Sequence, residues 1–338
     1  MPANQERIHV SLVAVPDAVL STLSGLYDVL TMFEGLAPNK TPFAVDIVGP
    51  TRSVVNTASG LPVAVHCAVD EVERTDIVIV PSLLLEQGEW RTGRYPELVS
   101  WLSCMYARGA LLCSACSGVL LLAETGLLEG WEATLHWAYA RTFQRNFPNV
   151  RLRLEKVLVV TGEGKRFVMS GASASWHDLA LYLIARHAGP AATQSIAKFF
   201  LLQWHTDGQA PYIVFEEDTS HGDAIILAAQ AWLSHQVAAA NPVERMVQQS
   251  GLAERSFKRR FRKATGYPPI TYVQHLRVEA AKEQLETTGA SVDSISWNVG
   301  YEDPAFFRRL FKRVTGLTPG AYRRKFRLPA YALSVVET

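Results

Sequence analysis

An internal repeat in the C-terminal third constrains this chain more than any other feature. One copy reads SGLAERSFKRRFRKATGYPPITYVQ and the other VGYEDPAFFRRLFKRVTGLTPGAYRR. Phe257, Phe261, Thr265, Gly266, Pro269 and Tyr272 match Phe307, Phe311, Thr315, Gly316, Pro319 and Tyr322. Upstream, Val243, Met246 and Gly251 match Val292, Ile295 and Gly300, with one extra residue after the turn of the second copy. Apolar spacing of three and four is the α-helical period, so each copy is expected to fold as a pair of helices. The first helix of each pair ends near a glycine, which suits a left-handed turn, and the second starts a few residues later. Asp303 and Pro304 supply an N-cap and a first-turn proline in the second copy. Ala253 stands near the equivalent place in the first copy and lacks a side-chain oxygen, an expected loss of about 1 kcal/mol of capping.

The second helix of each pair has two faces. Phe257 and Phe261 bury one side, and Arg255, Lys258, Arg259 and Arg262 occupy the other. In the second copy Phe307, Leu310, Phe311 and Val314 are expected inside, with Arg308, Arg309, Lys312 and Arg313 outside. A cationic face on the helix after the turn is what a major-groove reader needs, because arginines can bond guanine edges and neutralise phosphates. A plain helical bundle with a solvated basic face is the alternative, and the duplication of the whole pattern weighs against it. The stretch Ile270–Thr287 between the copies is rich in helix formers and is expected to hold the units at a fixed separation. Two reader helices on one face of a duplex lie about one turn, ~34 Å, apart.

Charge is distributed unevenly. Residues 241–327 carry 17 Lys/Arg and 8 Asp/Glu, a net of +9, whereas the rest of the 338-residue chain carries 16 and 24, a net of −8. The near-neutral total of +1 therefore hides an acidic body joined to a basic module, and the basic part points to a polyanion partner.

The first part alternates strand and helix signals. Ile8–Val15, Phe43–Val48, Asp76–Val80 and Ala110–Ala115 read as strands; Leu20–Phe33 and Pro96–Arg108 read as helices, as does the VLLLAETG run after Ala110–Ala115. This alternation predicts a doubly wound, flavodoxin-like α/β domain with a mainly parallel sheet. The expected division is an α/β ligand-sensing domain at 7–206, a linker at 207–223 and an all-α domain with two helix-turn-helix units at 224–327.

Within the α/β part, Ala115-Cys116-Ser117-Gly118 joins a buried strand directly to a helix. Cys116 is thus expected on a tight turn beside free backbone N–H groups, a setting that activates a thiol or binds an anion. His136 is within reach of a fold-back, giving a candidate Cys–His pair. A buried small hydrophobe is the plainer role for Cys116. Cys113 and Cys116 have C-x-x-C spacing, but Cys113 is expected to face the sheet core.

Over about 224–326 the chain resembles the AraC/XylS family of transcription regulators, carried by ISWNVGYEDPAFFRRLFKRVTGLTPGAYRR. The resemblance implies DNA-facing positions at Arg255, Lys258, Arg259 and Arg262, then Ala305, Arg308, Arg309 and Lys312. Pro304 and Ala305 stand where polar base-reading residues are common, so the second unit is expected to lean on phosphates. Over about 7–212 the chain resembles the PfpI/ThiJ-like class I glutamine amidotransferase superfamily and its GlxA-like subgroup fused to AraC-type modules. That resemblance implies a ligand pocket at Cys116, His136, Asp28, Ser82 and Ser117. Asp28 replaces a glutamate, and Pro81-Ser82-Leu83 replaces a glycine pair whose amides commonly complete an oxyanion site, which speaks against acyl chemistry.

The reading is a sequence-specific transcriptional regulator responding to a small, nitrogen-containing metabolite. The alternatives are a cysteine-dependent amidase or hydrolase with an attached DNA module, and an oxidation sensor at Cys116. Expected partners are double-stranded DNA, a small-molecule effector, a second copy of the chain and RNA polymerase. No cofactor is expected. Nor is a metal, since no His/Cys cluster has zinc-finger spacing. With four cysteines, no apolar run near the ~20 residues that span a bilayer and no export signal, the expected compartment is the cytoplasm.

Overall fold

β-branched and aliphatic runs buried on both faces build the first unit. Ile77–Val80 and Leu111–Ala115 are buried at every position, as central strands of a parallel sheet covered by helices must be. The computed structural model describes residues 7–32 and 42–329. Phe33, expected to end a helix, and residues 330–338 of the C-terminal tail lie outside the described residues. The chain divides between Gln209 and Ala210 into two compact units.

The first unit contains a seven-stranded sheet of β1 Ile8–Val13, β2 Phe43–Gly49, β3 Cys67–Ala68, β4 Ile77–Val80, β5 Leu111–Ala115, β6 Leu158–Thr161 and β7 Phe167–Ser170. The strand order is β6-β7-β5-β4-β1-β2-β3, and every neighbouring pair is parallel except β6 with β7. Helices α1 Leu20–Thr31, α2 Pro96–Ala107, α3 Val119–Glu124, α4 Ala140–Asn146, α5 Trp176–Ala188 and α6 Pro190–Phe199 accompany it. This is the doubly wound, flavodoxin-like arrangement. Its strand order reverses between β1 and β4, and in such sheets ligands bind outside the carboxyl ends at that reversal. The loops leaving β1, β4 and β5 meet there: the Val19 amide donates to the Ser82 carbonyl at 2.8 Å, and Ala18 bridges Leu83.

The unit is closed by Gln209, which is 2% exposed. Its side-chain amide donates to the Thr134 hydroxyl at 3.0 Å and to the Lys156 carbonyl at 2.9 Å, and its backbone N–H donates to the Glu155 carbonyl at 2.9 Å. A Cβ on Gly171 would stand 2.0 Å from that side-chain nitrogen, so glycine is required where Gln209 inserts. The stretch 207–223 is therefore not slack chain: its start is bolted into the first unit, and Phe215 packs on a core of the second.

The second unit is helical: α7 Ala224–His235, α8 Pro242–Ser250, α9 Glu254–Thr265, α10 Pro269–Thr287, α11 Val292–Asn298, α12 Pro304–Thr315 and α13 Pro319–Phe326. It has two cores. Ile226, Leu233, Met246, Phe257, Phe261, Tyr272 and Val273 form one; Val278, Leu285, Ile295, Phe307, Leu310, Phe311 and Tyr322 form the other. α10 supplies both, Tyr272 and Val273 to the first and Val278, Ala281 and Leu285 to the second. At about 1.5 Å per residue its 19 residues span roughly 28 Å.

The repeated Thr-Gly pair closes both reader helices in the same way. Gly266 and Gly316 are left-handed, at φ 80° and 79°, and their N–H groups return to the Arg262 and Lys312 carbonyls, each at 2.9 Å. The hydroxyls of Thr265 and Thr315 donate to the Phe261 and Phe311 carbonyls at 2.9 Å and accept the N–H groups of Tyr267 and Leu317 at 3.2 Å.

Arg277 sits where α10 passes from one core to the other and is 7% exposed. Its guanidinium donates to the carbonyls of Val237 at 2.9 Å, Ala239 at 2.8 Å and Gly300 at 2.9 Å, and lies 4.9 Å from the centre of the Tyr301 ring. Gly300, at φ +90°, leaves no room for a Cβ, which would stand 2.7 Å from the guanidinium. Removing a charged, buried donor that satisfies three partly buried carbonyls should cost about 2–4 kcal/mol. Arg277→Ala is therefore expected to speed amide hydrogen exchange across residues 292–315 of the full chain; unchanged protection there would refute this account.

Candidate functional site

Helices α9 and α12 display the two faces that the repeat predicts. Phe257, Phe261, Phe307 and Phe311 are fully buried, whereas Arg255, Lys258, Arg259, Arg262, Ala305, Arg308, Arg309 and Lys312 are all exposed. Val314 is only partly buried, because it lies at the edge of the second core. α12 starts on Asp303, whose carboxylate accepts the Ala305 N–H at 2.8 Å, with Pro304 in the first turn. α9 starts on Ala253 with no side-chain cap.

Several of these cations are already engaged. Lys258 pairs with Glu254 and Arg308 with Asp293, and Arg309 stands 4.0 Å from Asp303. Such exposed pairs are worth about 0–1 kcal/mol and exchange readily for a phosphate. Among the described residues no carboxylate pairs with Arg255, Arg259, Arg262 or Lys312. Arg260 is exposed as well, but it pairs with Asp223, the N-cap of α7, and so braces the unit. The sequence showed this arginine as one more cation, with nothing to single it out.

At the second candidate site, β5 ends in a sharp turn. Cys116 has φ +51°, a left-handed conformation that costs a non-glycine residue about 1–3 kcal/mol. The following turn and α3 are buried, and a Cβ on Gly118 would lie 2.4 Å from the Pro81 carbonyl oxygen, so only glycine fits. The Cys116 sulfur is 1% exposed and accepts a hydrogen bond from the Ser173 hydroxyl at 3.4 Å. Burial pushes the phenol of Tyr139 up.

The other expected pocket residues fare differently. Ser82 is 1% exposed and its hydroxyl accepts from Thr22 at 3.1 Å. His136 is half-buried; its Nδ1 accepts the Ala138 N–H at 3.2 Å, and its ring lies 5.8 Å from that of Tyr139. Ser117 is occupied structurally, donating to the Leu83 carbonyl at 2.5 Å and accepting the Leu83 N–H at 2.7 Å. Asp28 is exposed, six residues, about 1.7 turns, along α1 from Thr22. Thr22, which sequence reading passed over, is the α1 residue that meets Ser82. The helical period places Thr22 and Leu26 inward and leaves Asp28 outward.

The loop after β4 is poor in free donors. Pro81 has no N–H, the Leu83 amide is held by Ser117, and the Leu84 amide donates to the Asp17 carbonyl at 2.8 Å. An oxyanion needs such amides to be available and pre-aimed. Cys113 is wholly buried, and desolvation pushes its thiol well above the usual range, which removes it from redox pairing with Cys116.

Comparison with known proteins places both halves. Residues 19–168 match the DJ-1/PfpI family and residues 246–325 match a helix-turn-helix domain family. The chain thus pairs a DJ-1/PfpI match in its first unit with a helix-turn-helix match in its second, and its relatives include HTH-type transcriptional regulators. The chain is similar to the HTH-type transcriptional regulator CdhR of Pseudomonas aeruginosa, 28% identical over 70% of this chain and 70% of that protein. GlxA of Rhizobium meliloti is 24% identical over 62% of this chain and 64% of that protein. GbdR of Pseudomonas aeruginosa is 23% identical over 78% and 70%. Among solved structures, an AraC family transcriptional regulator from Pseudomonas putida shares the fold at a TM-score of 0.50 and 16% identity, over 57% of this chain and 99% of its own.

Native thiol reactivity should follow burial. A slow disulfide reagent is expected to label exposed Cys104 first and Cys113 only after unfolding. Labelling of Cys113 in the native protein at the rate of Cys104 would contradict this packing.

Proposed function

We propose that α9 and α12 read neighbouring major-groove segments of one duplex. The observation that carries this is the pair of helices with buried Phe faces and exposed cationic faces, joined by a continuous helix of roughly 28 Å. Arg255, Lys258, Arg259 and Arg262 would supply base and phosphate contacts in the first unit. In the second, Arg308, Arg309 and Lys312 would hold phosphates, with the exposed Ala305 against a thymine methyl. Binding should weaken steeply with salt, as condensed counterions are released. Arg259→Ala should weaken specific binding by about 1–3 kcal/mol through a lost base contact, whereas Arg309→Ala should weaken binding about equally across sequences and lower the salt slope by about one. A fluorescence titration against operator DNA tests this. Loss from Arg259→Ala no larger than from an exposed arginine of the first unit, such as Arg145→Ala, would remove the reader assignment.

The α/β unit then serves as the sensor. Its effector site is proposed at the strand-order reversal, around Cys116, His136, Ser82, Tyr139 and Ser173, for a small nitrogen-containing metabolite. An effector acts only through unequal affinity for two states of the regulator. A cytoplasmic setting, a homodimer and contact with RNA polymerase complete the proposal. Asp28 and Ser117 are left out of the site, the first because it is exposed and the second because both of its hydrogen bonds go to Leu83.

Enzymatic turnover is not part of the proposal, because the amides of Leu83 and Leu84 are already bonded. Amide hydrolysis by the purified chain is expected to stay at the uncatalysed level and to be unaffected by Cys116→Ala. Turnover that disappears in Cys116→Ala would restore the amidase reading.

A further inference from the structure

Away from the Cys116 turn and the reader helices, three ligating side chains converge in the first unit. His177 and Asp178 open α5, and His205 returns to them from 27 residues further along. His205 Nδ1 lies 2.7 Å and His177 Nε2 lies 3.6 Å from the same Asp178 oxygen, Oδ2. One ligand atom from each of the three residues lies within 4.8 Å of the others. We propose that His177, Asp178 and His205 form a binding site for a single borderline divalent transition ion of the zinc class.

The donor set fits that chemistry. Two imidazoles and one carboxylate suit a borderline ion, whereas Mg2+ and Ca2+ favour all-oxygen sites. Bonds of about 2.0–2.2 Å in a tetrahedral site put ligand atoms about 3.3 Å apart, close to the 3.6 Å between His177 and Asp178. The hydrogen bond from His205 to Asp178 must open by about half an ångström, with neutral His205 shifting its ring N–H to Nε2. The two histidine side chains are 16% and 27% exposed and their rings stack 4.8 Å apart, while the carboxylate between them is 4% exposed. His177 Nε2 also lies 3.1 Å from the Gln203 carbonyl, so metal binding requires it to release that hydrogen bond and carry its ring N–H on Nδ1.

The surroundings are those of a supported ligand. The other Asp178 oxygen, Oδ1, accepts the backbone N–H of His205 at 2.9 Å, so that Oδ2 is aimed at the rings. A cleft of about 480 Å³ opens beside the cluster, lined by Asp178, His205, Trp204, Thr206, Asp207 and Lys156, and gives a fourth ligand access. Lys156 is engaged by Glu132, 3.4 Å away, and none of the ion pairs formed by Asp178 is with a lysine or arginine. The site ties the start of α5, three residues after the Ser173 that bonds Cys116, to the segment that ends at Gln209. Occupancy would fix both against each other.

The test uses the full chain, stripped with a chelator and titrated with Zn2+ by equilibrium dialysis, alongside Cys116→Ala. Saturable uptake of one equivalent is expected, undisturbed by excess Mg2+ and unchanged in Cys116→Ala. His177→Ala and His205→Ala should each weaken it by roughly tenfold or more. Asp178 also holds the 205 backbone, so its replacement can unfold the segment; half-buried His177 is the decisive position. Co2+ in place of Zn2+ should give ligand-field bands without a sulfur charge-transfer band, and hydrogen exchange over residues 203–207 should slow. No stoichiometric uptake, equal affinity in His177→Ala, or a thiolate band with Co2+ would each overturn the proposal.

Discussion

One buried guanidinium organises the helical unit. Arg277 satisfies carbonyls from the chain after α7 and from the turn after α11, so it joins segments that belong to different cores. A charge so enclosed is tolerable only because oxygen acceptors and an aromatic face surround it, and removal of any one would leave polar groups stranded. Gly300 follows from this: the turn of the second pair must pass within contact distance of the guanidinium, and a side chain there would displace it. The repeat supplies two similar helical pairs, and Arg277 makes one unit of them.

Much of this architecture was legible from residue order. The matched Phe, Thr-Gly and Pro-Tyr positions announced two similar pairs, and each has a local cause: Phe fills a core, Thr-Gly terminates the helix, and Pro opens the next. Buried parallel strands such as Ile77–Val80 were legible because both of their faces must be apolar. The role of residues 207–223 was hidden. A run of Gly, Asp and Gln looks like free chain, yet Gln209 is held by partners as many as 75 residues away, and its fit depends on the absence of a side chain at Gly171. Pairings at such range leave no trace in local composition.

The surroundings of Cys116 were half legible. The strand-to-helix turn at Cys116 was evident from the buried strand running into Cys-Ser-Gly. The assignments of Asp28 and Ser117 illustrate what motif matching omits. A carboxylate on α1 seemed the natural neighbour of a thiol, but Asp28 lies six residues, about 1.7 turns, beyond Thr22, so it faces outward while buried Thr22 meets Ser82. The Ser117 hydroxyl bonds both backbone groups of Leu83 and so shapes the loop after β4, a pairing that no local spacing records. The His177, Asp178 and His205 grouping escaped because adjacent ligands plus one remote residue resemble no metal-binding spacing.

The double service of α10 carries a consequence for how such regulators can diverge. An α-helix advances about 1.5 Å and turns about 100° with each residue. A single residue inserted near Arg277 would swing the C-terminal reader helix to another side of the axis, out of phase with the first. Seven inserted residues would nearly restore the phase and lengthen the gap by roughly 10 Å, about three base-pair steps. Under the proposed reading of one duplex by α9 and α12, the distance between the two halves of a target is set by the length of this one helix, and lineages can alter it only in near-whole turns.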